Sequence, residues 1–122
     1  MVSASKLFNL DEIALYAEET TGSRAMPIPA RWTTPPSLEG KSCVYVLELD
    51  QEPPCFYVGE TDNLRNRIKQ HRSKKGSGWA GSTAIALPTP DKSQARKMEG
   101  LLIRSLAQAG VPLVSTWDGQ SI

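Results

Sequence analysis

Two apolar, tyrosine-bearing runs held apart by a proline-rich turn constrain this chain more than any other feature. Residues 43–49 (CVYVLEL) and 55–58 (CFYV) are β-branched and aromatic, and the 50–54 segment between them carries two prolines. Strand, short turn and strand in that order give an antiparallel hairpin. Tyr45 and Tyr57 are both odd-numbered. In any unbulged register whose paired numbers sum to an even total they share one side of the hairpin, because side chains alternate along a strand. Gly59 is expected to close the second strand.

Helical signals surround the hairpin. Asn9 with Glu12 three residues later resembles a capping box, and Leu10, Ile13, Ala14 and Ala17 fall on one face, which predicts a helix over 10–20. Pro27, Pro29, Pro35 and Pro36 then forbid regular helix, so 21–40 is expected to be an extended linker or arm. Thr61 or Asp62 can cap a helix running to about His71. Gly76, Gly78 and Gly81 make a loop carrying Trp79, and 83–87 is a third strand. Asp91 with Gln94 opens a long helix over 92–109, ended by Gly110. The tail 111–122 holds a short extended piece and a turn at Trp117-Asp118-Gly119. The expectation is an α+β fold (an α/β sandwich), with a small three-stranded, mainly antiparallel sheet flanked by helices. Residues 1–40 would be the N-terminal helix and proline-rich arm, and 41–122 the domain proper.

No apolar run approaches the ~20 residues that span a bilayer. The first six residues (MVSASK) have no apolar signal-peptide core, so the expectation is an intracellular protein. A disulfide would require Cys43 to sit opposite Cys55; two cysteines in such a chain are expected to be reduced. Net charge is only +1, yet residues 1–60 hold 4 Lys/Arg against 9 Asp/Glu, and residues 61–122 hold 10 against 4. The contrast peaks where Arg65, Arg67, Lys69, Arg72, Lys74 and Lys75 follow one another without an acid. Such a patch suits a polyanion; alone, it is equally a solvated helix face.

Leu64, Arg67, Ile68 and His71 recur at helical spacing, which turns Arg67 and the chain's one histidine toward the sheet. Arg65, Lys69 and Arg72 form a separate face that points to water. Glu99 interrupts the stripe Ala95, Met98, Leu102, Leu106 of the long helix, so it must pair, snorkel or bind a cation. Each residue has a structural explanation alone: a satisfied strand tyrosine, a core-edge histidine, a glutamate reaching solvent. Together they supply a base, a phosphate clamp and a metal ligand, the parts of a phosphodiester-cleaving site.

In this order the residues resemble the GIY-YIG nuclease family over roughly 43–119. Cys43-Val44-Tyr45 stands where the family has Gly-Ile-Tyr, and Tyr57-Val58-Gly59 where it has Tyr-Ile-Gly. Arg67, His71 and Glu99 match the helix arginine, the histidine one turn on and the metal-binding glutamate. Within the family the likeness extends to the C-terminal nuclease domain of plant organellar MutS homologues, through Tyr57-Val58-Gly59-Glu60-Thr61-Asp62 and Glu99-Gly100-Leu101-Leu102-Ile103 among other runs. Cys43 replaces the family glycine, Glu60 stands where several members are basic, and Ser115 where many have asparagine. The resemblance implies a DNA endonuclease using one Mg²⁺ (or Mn²⁺) held by Glu99, directed by DNA structure in repair or recombination. It implies Tyr45 as base, Tyr57 as its support, Arg67 as phosphate clamp and His71 in the tyrosine network. Arg65, Lys69, Arg72, Lys74 and Lys75 would track the DNA backbone. It also implies a MutS-type region in the same polypeptide and a plastid or mitochondrial location. A nucleic-acid-binding module with a weakened or inactive site is the alternative that Ser115 leaves open, and a protein-docking domain is a third.

Overall fold

The computed structural model describes residues 9–29, 35–51, 53–74 and 78–114. They form helix α1 (Leu10–Thr21), strand β1 (Met26–Ile28), a 3-10 turn (Pro36–Leu38), strands β2 (Cys43–Glu48) and β3 (Phe56–Thr61), helix α2 (Leu64–Arg72), strand β4 (Thr83–Pro88) and helix α3 (Lys92–Gln108). The α+β class is as expected. The sheet has four strands rather than three, all antiparallel, in the order β1-β4-β2-β3.

The additional strand comes from the segment expected to be linker. Met26, Pro27 and Ile28 pair with Ala86, Ile85 and Ala84. Proline is tolerated there because β1 is at the edge of the sheet, where a missing N–H need not break a ladder. Helix α1 is also part of the core, with Ile13 and Ala17 buried.

In the hairpin, Tyr45 lies opposite Gly59 and Leu47 opposite Tyr57, a register of even sum. The two tyrosines therefore share a face. Cys43 lies opposite Thr61 and not Cys55, and both cysteines are free. Strand β3 does not stop at Gly59 but runs on to Thr61. The cap of α2 is consequently neither Thr61 nor Asp62. Asn63 takes it, its side chain accepting from the Asn66 N–H at 3.3 Å, while Thr61 Oγ1 accepts from the Asn63 N–H at 2.9 Å. Only Asp62 and Asn63 separate strand from helix. Asn9 and Asp91 cap α1 and α3 as their spacing predicts, accepting from Glu12 N at 2.9 Å and Gln94 N at 2.8 Å.

Alternation along β2 splits the core in two. Val44, Val46, Phe56, Val58, Ile85 and Leu87 face α1 and α3, meeting Ile13, Ala95, Leu102 and Leu106. Cys43, Tyr45, Leu47, Ala84 and Ala86 face α2 and the 3-10 turn, meeting Leu64, Ile68 and Leu38. After α3 the chain returns to the start of β3: Phe56 N–H donates to Pro112 O at 2.9 Å, and Val114 N–H to Phe56 O at 2.7 Å. No helix among the described residues is long and apolar enough to cross a membrane. Ser115, the Trp117-Asp118-Gly119 turn and Lys75 lie outside the described residues.

Candidate active site

On the α2 face, Tyr45 is fully buried and its ring runs across Gly59. A Cβ built on Gly59 would stand 2.5 Å from Tyr45 Oη and 2.6 Å from Cζ, a distance no side chain tolerates. The glycine is there so that the tyrosine can lie flat over β3. Tyr45 Oη then meets His71 Nε2 at 2.8 Å. Cys43 sits in ordinary β pairing, with Thr61 on one side and Pro88 on the other, so the family glycine is not needed at that position. Burial, reinforced by Glu60, pushes its thiol up to about 12.

His71 projects inward from α2 and is 3% exposed. Its ring lies 4.7 Å from that of Tyr57 and stacks on Trp79 at 5.4 Å and 13°. Tyr57 lies 6.1 Å from Tyr45, and Lys74 Nζ sits 4.2 Å from the Trp79 centroid. Burial, then the charges of Lys74 and Arg67, lower the His71 pKa to about 4, so the ring is neutral near pH 7. Burial, then Tyr57, push the Tyr45 phenol well above its usual range, against the charge and hydrogen bond of Arg67. With both groups neutral, Tyr45 Oη–H donates to Nε2 in the Nδ1–H tautomer of His71, and Nε2–H donates to Oη in the other. His71 Nδ1 is buried with no hydrogen-bond partner among the described residues.

Glu99 is half-buried on α3, on the other side of the sheet from the tyrosines. Arg67 connects the two sides: its charge acts on Tyr45, on His71 and on Glu99. Burial first, then Glu60, raise the Glu99 pKa; Arg67, Lys92 and Arg96 oppose them. A desolvated carboxylate beside a second one is a site that a cation relieves. Among the described residues no three His, Cys, Asp or Glu side chains converge, so the protein would offer one or two carboxylate ligands.

The outer basic face differs from its sequence reading. Arg65 and Lys69 are exposed, Arg65 reaching Glu39 at 3.4 Å. Arg72 instead turns inward, donating through Nη2 to Ser82 O at 2.9 Å and Pro29 O at 3.2 Å. It joins α2 to β4 and to the segment after β1, rather than pointing to water. Two further sets were missed. Trp79, placed only in a loop, stacks on His71, and nothing local in the sequence predicts that. Glu60 lies between Lys92 (2.8 Å) and Arg96 (3.9 Å), a set foreshadowed by the i, i+4, i+7 spacing of Lys92, Arg96 and Glu99.

A family model described as the GIY-YIG catalytic domain matches residues 41–110, more than half of the chain. The chain belongs to the GIY-YIG nuclease family. A similar protein is the mitochondrial DNA mismatch repair protein MSH1 of Arabidopsis thaliana, 38% identical over 102 residues, which are 84% of this chain and 9% of that protein. The present chain thus spans about a tenth of the length of the curated relative it matches. No solved structure matches it significantly. The GIY-YIG match contains both tyrosine triplets, α2, β4 and α3, so every described residue of the candidate site except those before residue 41 falls inside it.

Proposed function

We propose that this chain is a metal-dependent DNA endonuclease that hydrolyses a phosphodiester bond at the junction of β3, α2 and α3. The contact that carries this reading is Tyr45 Oη to His71 Nε2 at 2.8 Å, with both partners buried and neutral. A phenol with a raised pKa holds its proton near pH 7, so it serves as a base only if that proton has somewhere to go. In the Nδ1–H tautomer, His71 Nε2 is that acceptor. As water attacks phosphorus, its proton passes to Tyr45 Oη while the phenolic proton passes to Nε2. The P–O3′ bond breaks, and the departing 3′-oxygen takes a proton from solvent. The imidazolium formed would be stabilised by the anionic phosphate. Arg67 would clamp the phosphate, a role supported by the reach of its charge to Tyr45, His71 and Glu99 alike. Tyr57 and Trp79 hold the imidazole plane. Glu99 would hold Mg²⁺ or Mn²⁺, with Glu60 beside it, and the bound ion would supply charge stabilisation at the phosphate and leaving oxygen.

The exposed cations Arg65, Lys69 and Lys74 would meet the DNA backbone without reading sequence, and selection would rest on DNA structure. The likeness to a mitochondrial mismatch repair protein supports a role in organellar DNA repair. The same reading extends to recombination and to a MutS-type region in the same polypeptide. The test offers supercoiled, branched and loop-containing DNA with Mg²⁺ or Mn²⁺ to the parent and Glu99→Ala proteins. Cleavage by the parent alone is expected. Undiminished nicking by Glu99→Ala overturns the metal role, and binding without cleavage by the parent favours a DNA-binding module with an inactive site.

A further inference from the structure

Beyond the basic face of α2, helix α3 carries four cations that the sequence reading assigned to nothing: Lys92, Arg96, Lys97 and Arg104. They are not equivalent. At 100° per residue, Lys92, Arg96 and Glu99 fall on one flank of α3, bordering its buried stripe, whereas Lys97 and Arg104 fall on the outward side. The flank meets β3 through Glu60. That residue alternates with Phe56 and Val58, so it faces α3. Its side chain is only 12% exposed, yet it holds Lys92 Nζ at 2.8 Å and Arg96 Nε at 3.9 Å. A nearly buried carboxylate demands such partners. The cations do not demand it equally: the Arg96 side chain is 71% exposed, and its contact is long.

We infer that Lys92 and Arg96 form a second phosphate-binding subsite, beside Glu99 on the α3 flank, with Glu60 as the positioning carboxylate that holds both cations where a DNA strand passes. The inference rests on the nuclease reading of the same site. Glu60, Glu99, Lys92 and Arg96 sum to zero charge when all are ionised, so in the free protein the flank is balanced rather than attractive or repulsive. A phosphate arriving there finds two donors already gathered at β3, the long Arg96 contact being the first to exchange. Arg67 stands at the α2 side of the same strand, and the pair on α3 stands at the other. The scissile phosphate and its neighbour would thus be gripped from both faces of the sheet. This also accounts for Glu60 at a position where several family members are basic: the positive charge comes from α3, and the strand supplies its anchor.

The experiment measures binding of a labelled duplex oligonucleotide in EDTA across a salt series, using the full 122-residue chain. Lys92→Met/Arg96→Met is compared with Lys97→Met/Arg104→Met, which removes the same charge from the same helix. The first pair is expected to lose roughly tenfold or more in affinity at moderate salt and about 1.8 from the slope of log K against log salt, at ~0.9 per phosphate. The second pair is expected to lose under about threefold. Adding Glu60→Gln to the first pair removes the carboxylate left unpaired and is expected to keep the loss, which separates it from misfolding. Equal losses for both pairs, or no loss for the first pair while Arg65→Gln/Lys69→Gln weakens binding, overturn the subsite and leave the nuclease reading intact. Absence of salt-dependent binding by the parent overturns both.

Discussion

The two faces of the sheet are built differently. Toward α1 and α3 the core is aliphatic apart from Phe56, and among the described residues no histidine, cysteine or tyrosine is fully buried in it. Toward α2 the buried groups include Cys43, Tyr45 and His71, walled by Tyr57 and Trp79 and closed by a 3-10 turn and a loop instead of a second helix. One face can therefore stabilise the fold with dispersion and burial alone. The other must also satisfy hydroxyl and imidazole groups out of water, where each unpaired group costs about 1–3 kcal/mol. On the proposed reading, the tyrosine–histidine pair lies on one side of strands β2, β3 and β4 and most of the aliphatic packing on the other, with Arg67 and Glu99 where the sides meet.

The sharpest way to break this division is Tyr45→Phe. It removes one oxygen from the α2 face, and cleavage should fall by about 10²–10⁴-fold, the range for a lost general base. The unfolding free energy should drop by only about 1–2 kcal/mol, for the His71 nitrogen left without its donor. A variant that still cleaves at the parental rate would remove Tyr45 from the chemistry. Leu102→Ala asks the reverse of the α1/α3 face. Urea unfolding should show a loss of about 2–5 kcal/mol, because a fully buried leucine leaves a cavity. Cleavage per folded molecule should be nearly unchanged.

His71 couples the faces to pH. Its folded pKa, about 4, lies below the ordinary 6.5. Between these values the unfolded chain binds more protons than the folded one, so stability is full above pH 6.5 and is lost as pH falls toward 4. Comparing urea unfolding at pH 7 and 4.5, the parent should lose about 2–3 kcal/mol more than His71→Phe. An equal loss in the two proteins would place the acid sensitivity elsewhere. The smallest effect belongs to Arg65→Gln. Its contact with Glu39 is exposed on both sides, so thermal unfolding should move by less than about 0.5 kcal/mol in free energy while DNA binding weakens.

Features set by neighbours in the chain were legible before any coordinates. The caps at Asn9 and Asp91, the hairpin and the shared face of its tyrosines follow from spacing and alternation. What escaped depends on partners far along the chain. Strand β1 has no local signal, because three residues around Pro27 acquire strand geometry only by pairing with β4. Arg72 belongs by helical periodicity with Arg65 and Lys69, but it sits in the last turn, where a long side chain can swing to the carbonyls of Pro29 and Ser82. Glu99, expected inside the apolar stripe of its helix, lies half-buried at the edge of that stripe. That its helix packs on the far side of the sheet from Tyr45 depends on how the chain crosses over after β4, which spacing within a helix does not encode.

The passage from β3 to α2 has a consequence for how such a domain can change length. Asp62 and Asn63 alone join them, with the Thr61 hydroxyl and the Asn63 amide locking both ends. An inserted residue there would rotate α2 by about 100° and carry Arg67 and His71 away from the tyrosines. The turn at the other end of the hairpin, where Gln51 and Pro53 are exposed, has no such duty. Insertions, dyes or split points introduced around Gln51 should be tolerated, and that loop is the natural place to label the protein while it works on DNA.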